Sequence, residues 1–160
     1  SLTVDAAALP QAAGTWALRV DGNQLLLDYT PPPPFDIWRV TEFGPDAENP
    51  VIAGEQADPD ADGTVNLLEY ALGTDPNQAG AAPITYDFET VEGTDYLRVT
   101  IPRNPNATDV SFLVEATSDP TQAPSWTSSG TLVEVDTPAL LVVRDTLSAP
   151  RRWFRLRVTH

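Results

Sequence analysis

Tyr96-Leu97-Arg98-Val99-Thr100-Ile101 is the stretch whose reading decides the fold. Leu97, Val99 and Ile101 alternate with Tyr96, Arg98 and Thr100. Successive side chains of a β-strand point to opposite faces, so this period of two puts one face in a core and the other toward solvent. The pattern recurs on both sides. Phe112, Val114 and Ala116 alternate with Leu113 and Glu115, and Val133 and Val135 flank Glu134. Phe154, Leu156 and Val158 alternate with Trp153, Arg155 and Arg157. Residues 140–144 are nearly continuously apolar, as expected of a strand covered on both faces. With residues 84–90, the segment 83–160 holds six or seven short strands with turn signals between them. That spacing predicts a mainly β fold, an antiparallel β-sandwich.

Toward the N-terminus the pattern changes twice. Trp16, Leu18 and Val20, then Leu25, Leu27 and Tyr29, alternate on either side of Asp21-Gly22-Asn23. Gly and Asn tolerate positive φ, so this reads as a β-hairpin. Residues 2–5 offer a further short strand. Pro31 to Pro34 interrupt everything, because four prolines favour stiff polyproline II and give no donors to a sheet. Beyond them, Phe35, Ile37, Trp38 and Phe43 suit a short amphipathic helix ending at Gly44-Pro45. A second helix is expected from about Val65 to Leu72, stopped by Gly73. The predicted organisation is thus N-terminal strands over 1–30, a spacer over 31–34, a helical segment over 35–82 and the sandwich over 83–160.

Composition excludes several classes. The 160 residues include 23 acids and 9 basic residues, with no cysteine or methionine, and every basic residue is an arginine. Without cysteine there is neither a disulfide scaffold nor a thiolate metal site. One histidine, His160, argues against histidine-based zinc sites and a Ser-His-Asp triad. A net charge of -14 repels phosphate backbones, so nucleic acid is not an expected partner. The apolar runs are too short to span a bilayer. A chain that starts at Ser1 rather than Met suggests a removed signal peptide or a piece of a longer protein.

The negative charge is not evenly spread. Residues 41–80 hold nine acids and no basic residue. Within them stands Asp58-Pro-Asp60-Ala-Asp62-Gly63-Thr64-Val65-Asn66-Leu-Leu-Glu69. Asp occupies positions 1, 3 and 5 of a twelve-residue loop, Gly position 6, Thr position 7, Asn position 9 and Glu position 12. This matches an EF-hand calcium loop at every liganding position. Ca²⁺ takes six to eight oxygens, and alternate residues of a tight loop turn their carboxylates inward while Gly63 permits the bend. The expected ligands are Asp58, Asp60, Asp62, Thr64 through its carbonyl, Asn66 and Glu69. Without a cation the carboxylates would raise one another's pKa. The segment 49–57, with Pro50 and Gly54, does not read as an entering helix, and there is no second loop to pair with. A structural calcium is therefore expected rather than a switch. Asp75 offers either a further ligand or a cap on the next turn.

Asp58 to Pro76 resembles the calcium repeats of dockerin and thrombospondin type 3 modules. It resembles more closely a segment near the C-termini of large secreted bacterial surface proteins that carry autotransporter-associated β-strand repeats. Thr15 to Pro31 is similar to the last such repeat, and 107–116 and 151–158 fit the tail. The resemblance implies secretion, cell-surface residence and a β-rich C-terminal domain, with no catalytic residues. The sandwich is expected to be of immunoglobulin or fibronectin III kind.

Catalysis finds no support in motifs: Gly-x-Ser-x-Gly, a Gly-rich phosphate loop and His-Glu-x-x-His are all absent. The expected role is instead architectural. It is a calcium-stabilised extracellular module, a building block of a surface or fibre assembly that packs through β-strands. Its partners would be copies of itself or neighbouring surface-protein modules. The alternative is a carbohydrate-binding adhesion module, with Trp126, Tyr96 and Trp153 as stacking platforms for glycans. Trp16 and Trp38 are expected in the core or in a domain contact. Five of nine arginines (Arg144, Arg151, Arg152, Arg155, Arg157) fall in the last seventeen residues. They are expected to meet the acidic zone of a neighbouring copy or to pair within one molecule.

Overall fold

The computed structural model describes residues 14–121, 126–147 and 151–160. The proposed strand at 2–5 lies outside them. The fold is mainly β, with antiparallel sheets and a small helical insert. Strands β1 (Thr15–Asp21) and β2 (Gln24–Thr30) form the hairpin, turning at Gly22-Asn23 as the sequence indicates. Trp16 lies opposite Tyr29, Leu18 opposite Leu27 and Val20 opposite Leu25. These six side chains share one face of the ribbon, and all are exposed. Of the two places expected for Trp16, the core is therefore corrected. Its ring rests on Tyr29, centroids 4.5 Å apart, on a face that no described element covers.

Helix α1 (Pro34–Phe43) begins one residue inside the expected spacer. Proline's fixed φ suits the first helical position, where its missing N–H is no loss. No neighbouring side chain caps this helix. The Phe35 N–H donates instead to Asp109 Oδ2 at 3.0 Å, from 74 residues away. A 3-10 turn (Gly44–Asp46) follows, and residues 47–57 hold turns and no helix, as expected. Helix α2 (Asn66–Leu72) ends at Gly73, whose φ of 75° is left-handed and suits glycine.

The remaining strands are β3 (Thr85–Val91), β4 (Thr94–Pro102), β5 (Ser111–Thr117), β6 (Thr131–Thr137), β7 (Leu140–Asp145) and β8 (Trp153–Thr159). One sheet has the order β3-β4-β7-β6 and the other is β5-β8. Val99, Ile101, Leu141 and Val143 of the larger sheet pack with Val114, Phe112, Phe154 and Leu156 of the smaller. The two sheets therefore face each other across one core. Leu72 of α2 joins that core. In a second cluster, Phe35, Leu67 and Tyr70 pack with Trp38, Val110 and Val158. Each cluster mixes residues from 35–82 with residues from 83–160. The helical segment is thus fastened to the β-domain through two cores. No helix among the described residues is long and apolar enough to cross a membrane.

Candidate metal centre

The loop from Asp58 to Glu69 is built by main-chain ties at its ends and carboxylate ties inside. The Asn66 N–H donates to the Ala57 carbonyl at 2.9 Å and the Leu67 N–H to the Glu55 carbonyl at 3.0 Å. Within the loop, Asp58 Oδ2 accepts the Gly63 N–H, Asp60 Oδ1 accepts the Asp62 N–H, and Asp62 Oδ1 accepts the Thr64 N–H. Asp62 Oδ2 accepts a fourth N–H from Gly80. Gly63 has a φ of 94°, which a residue with a Cβ rarely adopts.

These bonds use some carboxylate oxygens and leave others. One oxygen each from Asp58, Asp60 and Asp62 lie within 4.8 Å of one another, a group that suits a metal ion. Asp58 Oδ1 and Asp60 Oδ2 are buried with no hydrogen-bond partner. Glu69 stands outside the tight trio. It is 1% exposed, on the first turn of α2, and its Oε2 is also buried and unpartnered. A buried acceptor without a donor costs roughly 1–3 kcal/mol, more when charged. Three such oxygens in a twelve-residue loop suit a cation better than a finished hydrogen-bond network.

The electrostatics agree. Burial, then the charges of Asp60, Asp62, Asp58 and Asp75, push Glu69 up to about 7. Asp60 is also raised, by burial first and by its aspartate neighbours. Asp62 moves the other way, because the Gly80 and Thr64 N–H groups favour its charged form. No arginine enters this group. The carboxylates oppose one another, and a divalent cation would outweigh that repulsion and favour the charged form of each.

The other expected ligands are placed as follows. Asn66 is fully buried and its Nδ2 donates to the Ile52 and Gly54 carbonyls, holding the preceding turn, while its Oδ1 has no partner. Thr64 lines a small cavity with Asp62, Glu69, Thr74 and Asp75. Asp75 serves as the turn cap: its Oδ1 accepts the Asn77 N–H at 2.9 Å. Sequence reasoning missed Thr74, whose buried Oγ1 is also unpartnered, and Gly80. Both lie beyond the loop motif, so no spacing rule points to them.

A second polar cluster ties α1, α2 and the C-terminal residue together. Asp109 accepts the Tyr70 hydroxyl at 2.6 Å and the Phe35 N–H, and its Oδ2 lies 3.3 Å from His160 Nε2. Burial opposes the Asp109 charge, but these donors hold its carboxyl below the usual range. The same desolvation and carboxylate push the Tyr70 phenol up.

Two of the three aromatic platforms expected for sugars carry an arginine. The Arg155 guanidinium sits 4.6 Å from the Trp126 ring centre, and that of Arg144 sits 5.2 Å from Tyr96. Four of the five C-terminal arginines pair within the molecule, with acids of the sheets rather than of the acidic zone. Arg144 meets Glu89 and Glu134, Arg152 meets Asp145, and Arg155 and Arg157 meet Glu115.

In comparisons with known proteins, no family model, no curated protein and no solved structure matches this chain.

Proposed function

We propose that this chain is a calcium-stabilised extracellular structural module, a building block of a cell-surface or fibre assembly that packs through its β-strands. The observation that carries the reading is the set of buried, unpartnered carboxylate oxygens on Asp58, Asp60 and Glu69, at EF-hand positions 1, 3 and 12. Ca²⁺ suits this all-oxygen donor set, with Asp62, the Thr64 carbonyl and Asn66 as the remaining ligands. The site's role is structural, because α2 leads straight from Glu69 into both cores through Tyr70 and Leu72. Its lone loop has neither an entering helix nor a partner loop to move against. The resemblance to secreted bacterial surface proteins supports an extracellular location. A chain without cysteine would then use a cation where others use disulfides. No nucleic acid partner and no catalysis belong to this reading.

The β-domain is read as a sandwich of immunoglobulin kind. The glycan-binding alternative is the weaker one, since arginine covers one face of Trp126 and of Tyr96.

Thermal unfolding in calcium and in EDTA tests the proposal. At a calcium concentration about 100 times the dissociation constant, linkage adds about 2.7 kcal/mol. For a chain of this size that raises Tm by about 5–10 °C. Identical melting curves in both buffers would remove the calcium reading, and magnesium serves as the control for mere ionic strength.

A further inference from the structure

We propose that residues 74–82, which join α2 to β3, form a strap that the cation closes, with the Thr74 hydroxyl as a ligand from outside the twelve-residue loop. This rests on the calcium reading above and assigns the segment whose order the ion controls.

The strap begins where α2 stops. Gly73 and Thr74 both donate their N–H groups to the Glu69 carbonyl, at 2.7 and 3.0 Å, and the left-handed Gly73 turns the chain back at the helix end. That turn brings Thr74 and Glu69 to one cavity of about 190 Å³. Asp62, Thr64 and Glu69 wall it on the loop side, and Thr74, Asp75 and Gln78 on the strap side. Glu69 Oε2 and Thr74 Oγ1 are both buried, and neither has a hydrogen-bond partner. A hydroxyl can donate to a carboxylate, yet these two oxygens do not bond to each other. A group shared between them suits the arrangement. A hard cation is such a group, because it takes neutral oxygens alongside carboxylates.

The far end of the strap depends on the same site. Pro76 is buried, and Asn77 Nδ2 donates to the Glu42 carbonyl at 3.3 Å. From Asn77 to Ala82 every residue is exposed, and residues 79–84 have no regular secondary structure. Beyond Asn77 the strap makes one hydrogen bond to the rest of the described residues, from the Gly80 N–H to Asp62 Oδ2 at 2.9 Å. Its two ends are therefore held at Glu69 and Asp62, both expected ligands. Asp62, Glu69 and Asp75 set three acids around the cavity, and no arginine lines it. Without a cation these charges push the strap away, and with one they draw it in. A segment with exposed backbone and few apolar contacts opens locally, without global unfolding. Past the strap, Ile84 packs on the core that also holds Leu72. The cation thus sets the chain path between α2 and β3 while the cores stay intact.

Pancreatic elastase, which cuts after small residues, reads the strap at Ala79 and Ala81. The full chain would be digested in calcium and in EDTA, well below its melting temperature in both, with the cuts assigned by mass. A peptide without structure, digested in each buffer, corrects for the protease itself. Cleavage within 79–82 should be about tenfold faster or more in EDTA, since proteolysis follows the population of the open form. Equal rates in a chain whose Tm still rises with calcium would overturn the strap and leave the calcium reading standing. Equal rates and equal Tm would remove both. Two variants test the ligand by calorimetric titration with calcium. Thr74→Val removes the hydroxyl and should weaken binding about tenfold or more, while Thr74→Ser keeps it and should bind as the native chain does. Urea midpoints in EDTA, expected to match the native chain's, separate lost ligation from lost folding. Unchanged affinity in Thr74→Val, or an equal loss in Thr74→Ser, would overturn Thr74 as a ligand.

Discussion

Asp145 and Glu69 are both 1% exposed, and they are treated in opposite ways. Asp145 lies at the end of β7 and receives the Arg152 guanidinium through two nitrogens, at 2.5 and 3.1 Å. It also accepts the Leu147 N–H. Glu69 lies in the acidic loop and meets no cation, only the charges of Asp58, Asp60, Asp62 and Asp75. The β-domain compensates its buried negative charge with its own arginines. The loop withholds that compensation and presents bare oxygens. A buried charge left without a counter-ion is expensive, and the loop's bare oxygens suit a cation from outside the chain.

The comparison is broken most severely by Arg152→Ala. Removing one partner strands the buried Asp145 carboxylate at a cost of about 3–5 kcal/mol. Tm should fall by roughly 10 °C in scanning calorimetry. The fall should be equal with calcium and with EDTA, since the two sites share no partner. A calcium-dependent fall would mean that the two charge systems are coupled after all.

Glu69→Gln sharpens the comparison from the other side. Removing this uncompensated charge should stabilise the chain in EDTA by about 1 kcal/mol. In calcium the same change should weaken binding about tenfold or more, since an amide cannot close the shell as a bidentate carboxylate does. Opposite signs in the two buffers, read from urea midpoints, are the signature of a site built for an ion. A loss of stability in both would instead make Glu69 an ordinary packing residue.

The smallest effect concerns His160, which stands between the two systems. Its Nδ1 lies 2.9 Å from Glu55, and its pKa is raised by that bond first and then by Asp109, against burial. Tyr70 and Phe35 also face Asp109, as donors. The folded-state pKa thus exceeds the unfolded value of about 6.5. The histidine's contribution is fully present below about pH 6.5 and is lost as pH rises through the folded pKa. The difference in stability between the native chain and His160→Gln should shrink between pH 6 and 8, by less than about 1 kcal/mol. A difference independent of pH would assign His160 to stacking on Phe35 alone, 5.3 Å away.

Much of this was legible in the chain because it is local. The hairpin turn at Gly22-Asn23, the stop at Gly73 and the alternating strands from β3 to β8 each follow from neighbours within a few residues. The twelve-residue loop is local too, and its Asp trio converges as the spacing implies. The core placement of Trp16 failed for a related reason. Its alternation marks a face correctly, but whether anything covers that face is not a property of the ribbon. Trp126 and Tyr96 likewise read as open platforms until Arg155 and Arg144, remote in sequence, were found over their rings.

The sequence by itself determined the periods, the turns and the register of the acidic loop, because side-chain direction and φ preference act between adjacent residues. Only the tertiary structure decided which strand stands at an edge, which acid meets an arginine, and which carboxylate oxygens remain bare. Those outcomes join Phe35 to Asp109, Arg155 to Glu115 and His160 to Glu55 across 40 to 105 residues. Such pairings depend on how two sheets and two helices share their cores, and no local preference encodes that.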